Sequence, residues 1–542
     1  MTLNKGVIHG HLVKPRTLSA RDSKSPTDME HHFVLSKIVA TLGPATSSPE
    51  KIAGLVEAGA RVFRVNFSHG TFDEFRALLD CVRVASTLTD RYIAVLGDLS
   101  GPKIRIDKVV EGGIILEDGE KVIIRGEKRV AEPAAEGESV VLGTNRSDFV
   151  RDVKVGQRVF IDDGNLQLTC LDEGTADQEI PEIVCEVIHG GKVTSGKGVN
   201  LPDTDLSLPS LTDWDIKCLE FAVEAGFDYL ALSFVRTAED VRDLKSRLRD
   251  LGARPSMPKK GAEKEGEYFS QYGSGEREFI PVVAKIEKPQ AMECLDEIVE
   301  ETDIVMVARG DLGVEMNVAE VPVCQKRIIR SCQQHGKPVI VATQMLQSMV
   351  DAPVPTRAEA SDVANAIFEG ADAVMLSGET AVGRHPEKAV QTMRRIAKEM
   401  NNYILEEKIS FDACAPRFSK YRSASLARGV KSIVSNMNAT LIVMWSQHAG
   451  GASYMAQNKL PVPIVAFSSN PAALRRMSVL YGVVPRFMDS PEGAEEFVSQ
   501  VDEMVLNHGW AKKGDAIIMV MGEPFGQAGV TNNIRVHYVG DI

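Results

Sequence analysis

The chain lacks most of what would mark it for an oxidising or membranous setting. Its eight cysteines, Cys81, Cys170, Cys185, Cys218, Cys294, Cys324, Cys332 and Cys414, contain no CxxC pair and form no dense framework. They read as reduced thiols in a cytosol-like compartment. No uninterrupted apolar run approaches the length of a membrane span, and the N-terminus has no hydrophobic stretch of the secretory kind, so a soluble protein is expected. Basic residues do not predominate either. With 62 Lys and Arg against 75 Asp and Glu, the net charge is -13, which argues against a nucleic-acid partner or an acidic membrane surface while leaving local cationic clusters free to bind small anions. A small-molecule enzyme fits that balance. At 542 residues the chain exceeds what one hydrophobic core organises, so several domains are expected.

Residues 1–34 are polar and poor in acids, with Lys5, Lys14, Arg16, Arg21 and Lys24 among Ser, Thr and Pro. They read as a tail, with an organellar transit peptide as the alternative to a cytoplasmic location. From Lys37 onward, short β-branched runs alternate with amphipathic stretches, the pattern of a parallel sheet. Eight runs qualify as strands: 37–41, 61–68, 92–98, 229–234, 282–287, 303–311, 338–344 and 372–379. Eight βα units predict a TIM (β/α)8 barrel, whose active site lies where the strands' C-terminal ends meet. Those ends carry Thr41, Arg64, Asn66, Ser68, Asp98, Ser233, Lys285, Glu287, Asp311, Thr343, Ser377 and Glu379. Polar groups gathered at one mouth cost desolvation unless they bind something.

The expected division is barrel from 35 to 102, an inserted all-β lid from 103 to 203, barrel again from 204 to 403, and a doubly wound α/β domain from 404 to 542. The lid leaves and re-enters through a βα loop, so it should hang over the mouth. A polar insertion at 254–278 reads as a flexible loop on the opposite face. The last domain has strand candidates at 440–445, 463–467, 483–488 and 515–521 and no GxGxxG fingerprint, so a dinucleotide site there is unsupported.

The segment VVAKIEKPQ puts Lys285 and Glu287 two residues apart on a strand, hence on one side. Taken alone, the pair reads equally well as a buried ion pair. With ARGDLG beside it, Glu287 and Asp311 become two hard oxygen ligands of the kind Mg2+ takes, and Lys285 a point charge for the same phosphoryl group. Arg64, at the end of the second run, can clamp phosphate with its rigid fork of donors.

Nine ordered segments, among them KIVATLGPATSS, RVNFSHGT, GDLSGPKIR, KGVNLP, AKIEKPQ, MVARGDLGVE, GKPVIVATQMLQSM, PTRAEASDVANAI and ADAVMLSGET, make the chain resemble the pyruvate kinases over nearly its whole length. The resemblance implies transfer of a phosphoryl group from phosphoenolpyruvate to ADP in glycolysis, with Mg2+ or Mn2+ held by Glu287 and Asp311. It implies that Lys285 stabilises the transferring group and the enolate oxygen, that Arg64 grips the phosphate, and that Thr343 lies near the substrate's methylene carbon. It places Ser377 and Glu379 in a water-linked proton relay. The amides of Ala308, Arg309, Gly310 and Asp311, at a helix N-terminus, would receive the substrate carboxylate. Asn66, His69, Arg105 and Lys197 would face the nucleotide phosphates. A homotetramer and allosteric control are also implied.

Two departures from the family pattern carry expectations. Many members bind K+ through the positions of Asn66, Ser68, Asp98 and the residue after it, with Thr there and Glu in the GPxIR turn; this chain has Leu99 and Lys103. An ammonium in place of an acid supplies covalently the charge a monovalent cation would bring, so K+ is expected not to be required. Lys103 as a mere exposed hinge residue is the bland alternative. In SQHAGGAS (446–453), Ala449, Gly451 and Ala452 replace hydroxyl or basic positions, and Glu523 is acidic, so little activation by fructose 1,6-bisphosphate is expected. Two rival readings remain: a catalytically inactive pyruvate-kinase-like binding protein, and another Mg2+-dependent barrel enzyme acting on phosphoenolpyruvate or pyruvate.

Overall fold

A computed structural model of the chain describes residues 33–135, 137–173, 180–253, 279–409, 411, 422–523, 525 and 531–541. The N-terminal tail as far as residue 32 and the polar insertion at 254–278 lie outside the described residues.

Eight strands, Lys37–Thr41, Val62–Asn66, Ala94–Asp98, Tyr229–Leu232, Val282–Ile286, Ile304–Ala308, Val339–Ala342 and Ala373–Leu376, pair in parallel and in chain order, and the last closes on the first. Their residues are almost all buried, as strands lined by side chains within and helices without must be. The helices between them start on repeated sequence signals. Thr71, Thr212 and Thr356 each cap a first turn and are answered three residues on by Glu74, Asp215 and Glu359, so orphan amides at each helix start find partners. The predicted strands overran their C-terminal ends. The run at 303–311 is strand only to Ala308 and then turns into the helix Arg309–Glu315. Asp311 therefore projects from a helical first turn and not from a strand end.

Between the third and fourth barrel strands the chain builds a seven-stranded sheet in the order Ile104–Arg105, Gly198–Asn200, Arg158–Ile161, Leu166–Asp172, Glu182–His189, Lys121–Arg125, Val140–Gly143. Its alternating side chains, including Val122, Ile124, Phe149, Ile161, Leu168, Cys170, Ile183, Cys185 and Val187, bury a core of their own. Near the C-terminus, Val483–Phe487, Ile464–Ser468, Leu441–Trp445 and Ala516–Met521 run parallel, and Asn533–Tyr538 adds an antiparallel edge. That fifth strand, NIRVHY, was not among the expected ones. Leu441 and Val443 pack toward Phe497, whereas Ile442 and Met444 pack toward Leu474, so this sheet is buried on both faces. The second cluster runs on without a break to Val39, Leu96 and Met306 inside the barrel.

Candidate active site

Lys285 stands at the centre of the barrel's charged mouth. Its strand is buried throughout, so an ammonium there must be surrounded by partners. Nζ lies 2.8 Å from Glu287 Oε1 and 3.3 Å from Asp98 Oδ1, and donates to Ser233 Oγ at 2.7 Å. Burial opposes its charge, but Asp98 and then Glu287 outweigh burial and hold its pKa above the ordinary lysine value. Asp98 is the complementary group. Burial would raise its carboxyl, yet Lys285 and Arg64 together keep it below the usual range. Arg64 grips Asp98 Oδ2 through Nε and Nη2, each at 2.6 Å, and reaches Thr41 Oγ1 from Nη1 at 3.3 Å.

Glu287, just past the strand, is 1% exposed, and its Oε2 accepts from the Phe234 amide at 2.7 Å. Its carboxyl is pushed up by burial first and, with Lys285 pulling the other way, by the negative charge of Asp311. Two neighbouring carboxylates, one of them raised in part by the charge of the other, fit a hard divalent cation through their oxygen atoms. Among the described residues no cluster of three or more His, Cys, Asp or Glu side chains is arranged to hold a metal, so such an ion would rely on this pair together with substrate or water oxygens, the habit of Mg2+.

The neighbouring ends are equally constrained. Thr343 has φ +67°, unusual for a β-branched residue, and its Oγ1 accepts from Gly310 N at 2.7 Å and donates to Ala342 O at 2.6 Å. One of the helix-start amides is thus already occupied. The Arg309 guanidinium turns to Asp362 and the Thr343 carbonyl at 2.7 and 2.8 Å, so at this mouth Arg309 offers only its backbone. Glu379 is fully buried, its oxygens accepting the amides of Leu346 and Ser377 at 3.0 and 2.7 Å. This geometry makes it a positioning group for the Ser377 loop. The Ser377 hydroxyl is buried and has no hydrogen-bond partner among the described residues.

Arg105 and Lys197 are brought together by strand pairing, Arg105 standing opposite Gly198. Arg105 donates to Gly196 O at 2.9 Å, and Lys197 pairs with Asp162 at 2.7 Å. Asn66 ends the second barrel strand and His69 sits on the loop after it, where Asn66 Oδ1 accepts from the Ser68 amide at 3.0 Å; no bond among the described residues joins them to Arg105 or Lys197. At the monovalent-cation position, Leu99 is fully buried and its carbonyl accepts from Ser233 Oγ at 2.7 Å. Lys103 Nζ lies 3.5 Å from Asp311 Oδ1. The turn that delivers it depends on Gly101, whose φ is +67° and whose Cβ would meet the Phe234 ring at 2.7 Å.

Sequence reasoning gave no role to Asp98 as the shared partner of Lys285 and Arg64, nor to a buried knot where lid meets barrel. In that knot Glu315 Oε1 accepts from Lys288 Nζ at 2.7 Å and from Asn200 Nδ2 at 2.8 Å. KGVNLP and MVARGDLGVE contain two of its members; only their meeting in space reveals it.

The model for "Pyruvate kinase, barrel domain" matches residues 34–266 and 272–390, and that for "Pyruvate kinase, alpha/beta domain" matches 424–537. The pyruvate kinase of Mycobacterium intracellulare is 38% identical over 505 residues, covering 93% of this chain and 98% of the relative. That of Corynebacterium glutamicum is 37% identical over 507 residues, covering 93% and 98%. That of Geobacillus stearothermophilus is 36% identical over 507 residues, covering 94% and 81%.

Proposed function

The chain belongs to the pyruvate kinase family and is a phosphotransferase; from that premise we propose that it moves the phosphoryl group of phosphoenolpyruvate to ADP, yielding pyruvate and ATP, with Mg2+ or Mn2+ held by Glu287 and Asp311. The observation that carries this reading is the Lys285 ammonium, fixed at the mouth by Glu287, Asp98 and Ser233. A bound divalent ion would neutralise phosphate charge there. Lys285 faces the charge that develops as the phosphoryl group leaves, and since its partners already orient it, little reorganisation is required. Arg64 offers phosphate the Nη1 edge turned away from Asp98. The amides around Ala308–Asp311 receive the carboxylate, Thr343 lies near the methylene carbon, and Ser377 hands on the proton that the enolate takes. Arg105 and Lys197 bring nucleotide-directed charge from the lid.

We further propose the domain division given above, a glycolytic role in the cytoplasm, a homotetramer, and activity without K+. Support for the last comes from Lys103, which carries a fixed positive charge to Asp311. Weak response to fructose 1,6-bisphosphate is supported by the loop at 446–453, where Ser446 Oγ already accepts the Ala452 amide at 3.2 Å. A coupled assay for ADP-dependent pyruvate formation tests the reading. Activity that needs both ADP and a divalent ion is expected; phosphoenolpyruvate consumed without ADP, or no turnover, overturns it.

A further inference from the structure

Two of the cysteines that look scattered in the sequence meet in the lid. Cys170 on Leu166–Asp172 and Cys185 on Glu182–His189 are direct Cα partners across an antiparallel pair, so both side chains leave the sheet on the same face. The Cys170 amide donates to Gln157 O, and its carbonyl accepts from the Gly156 amide. Its backbone groups therefore point to the other neighbour, and the Cys170 to Cys185 position is of the non-hydrogen-bonded kind. At such positions Cα atoms stand about 4.5 Å apart with side chains at their closest, within the span of about 4.4–6.8 Å that a disulfide bridges. The Cys170 thiol also donates to Asp172 O at 3.4 Å. Both are reduced and buried, at 1% and 0% exposure, in the lid core.

We propose that Cys170 and Cys185 form a redox-active dithiol that a peroxide converts to an intrachain disulfide, tying two lid strands together outside the phosphoryl-transfer site. The proximity of the two thiols also gives the pair a direction. The neighbouring Cys185 thiol holds the Cys170 thiol below its ordinary value, while Cys170 and then burial push Cys185 up. Cys170 is therefore the attacking sulfur. Its thiolate takes one oxygen of hydrogen peroxide, the O–O bond breaks, and the departing hydroxide accepts the proton Cys170 released, leaving Cys170 as a sulfenic acid and one water. Cys185 sulfur then attacks Cys170 sulfur, the S–O bond breaks, and hydroxide leaves with the Cys185 proton as a second water. Two electrons and two protons pass from the thiols to one peroxide. With both sulfurs buried, the reaction waits on transient opening of the lid core.

The test treats the full-length native protein with excess hydrogen peroxide, removes it with catalase, and counts thiols after denaturation. The count should fall from the eight of the sequence to six, with the lost pair mapped by peptide mass spectrometry to a Cys170–Cys185 link that dithiothreitol reverses. In Cys185→Ser the same treatment should leave a dimedone-reactive sulfenic acid on Cys170 and no link; Cys170→Ser should give neither, and serves if the first variant folds poorly. Eight surviving thiols overturn the proposal. So does oxidation confined to the more exposed Cys81 and Cys294 with Cys170 and Cys185 still reduced.

Discussion

Reversing the charge at residue 103 should create a K+ requirement. In the native arrangement Lys103 Nζ is 3.5 Å from Asp311 Oδ1, a separation at which unit charges attract by about 5 kcal/mol at an effective dielectric near 20. Solvent reduces that figure severely, because the side chains are 33% and 28% exposed, and the net worth of such a pair is about 1 kcal/mol. Lys103→Glu removes that attraction and adds a repulsion of similar size against a proposed metal ligand. The sum, about 2 kcal/mol, corresponds to a loss of roughly 30-fold in kcat/KM. A monovalent cation drawn to the new carboxylate should restore most of it. The assay is steady-state pyruvate formation at fixed Mg2+ in Tris buffer free of Na+ and K+, followed by K+ titration of both proteins. Wild type should change little and Lys103→Glu should recover steeply. Many-fold activation of the wild type by K+, or a variant that is fully active without it, would refute the reasoning.

The Lys288, Glu315 and Asn200 knot predicts a stability effect: Glu315→Gln leaves the Lys288 ammonium, 9% exposed, without its counter-charge, which costs about 3 kcal/mol and should lower the calorimetric midpoint by several degrees; an unchanged midpoint would assign the knot no structural weight. Lys37, whose Nζ donates to Val483 O at 2.8 Å, has its pKa lowered to about 7 by burial first and then by Arg61. Below that value the folded and unfolded chains both hold the proton, but above it, up to the ordinary lysine value, the unfolded chain binds one more, so stability rises with pH. Wild type should therefore gain on Lys37→Met by about 1.4 kcal/mol per pH unit between pH 7.5 and 9.5; parallel denaturant curves across that window would contradict it. Ser377→Ala should reduce kcat about 10-fold with KM for phosphoenolpyruvate little changed, as expected of a relay to the enolate, and an equal rise in KM would assign Ser377 to binding instead.

The barrel was legible because its strands are buried on both faces and so read as β-branched runs between capping boxes, KIVAT and DAVML being clear cases. Ends were less so. In MVARGD the strand stops at Ala308 and the chain turns helical at Arg309, its first polar residue, where Gly310 lets Thr343 Oγ1 approach its amide. The edge strand NIRVHY was missed because it shows no apolar-in, polar-out alternation, its one buried position being His537 while Val536 and Tyr538 are exposed, and because it pairs on one side only. Lys285 and Glu287 could be named from one short motif, since a two-residue spacing keeps them on one side, and Asp311 from the motif that follows the adjoining strand. Asp98 was assigned to a cation position and proves to bind Lys285 and Arg64, a contact between three different strands that no local pattern contains. Asn200 and Glu315, like Cys170 and Cys185, are brought together by sheet geometry and domain docking.

The central claim rests on Lys285, and Lys285→Met tests it most directly. The side chain keeps its length and loses its charge, which leaves Asp98 and Glu287 without a common cation, so circular dichroism must first establish that the variant is folded. ADP-dependent pyruvate formation should then fall by at least about 1,000-fold relative to wild type, in keeping with the loss of a charge aimed at the transferring group. A folded Lys285→Met protein that turns over within tenfold of wild type would contradict the account.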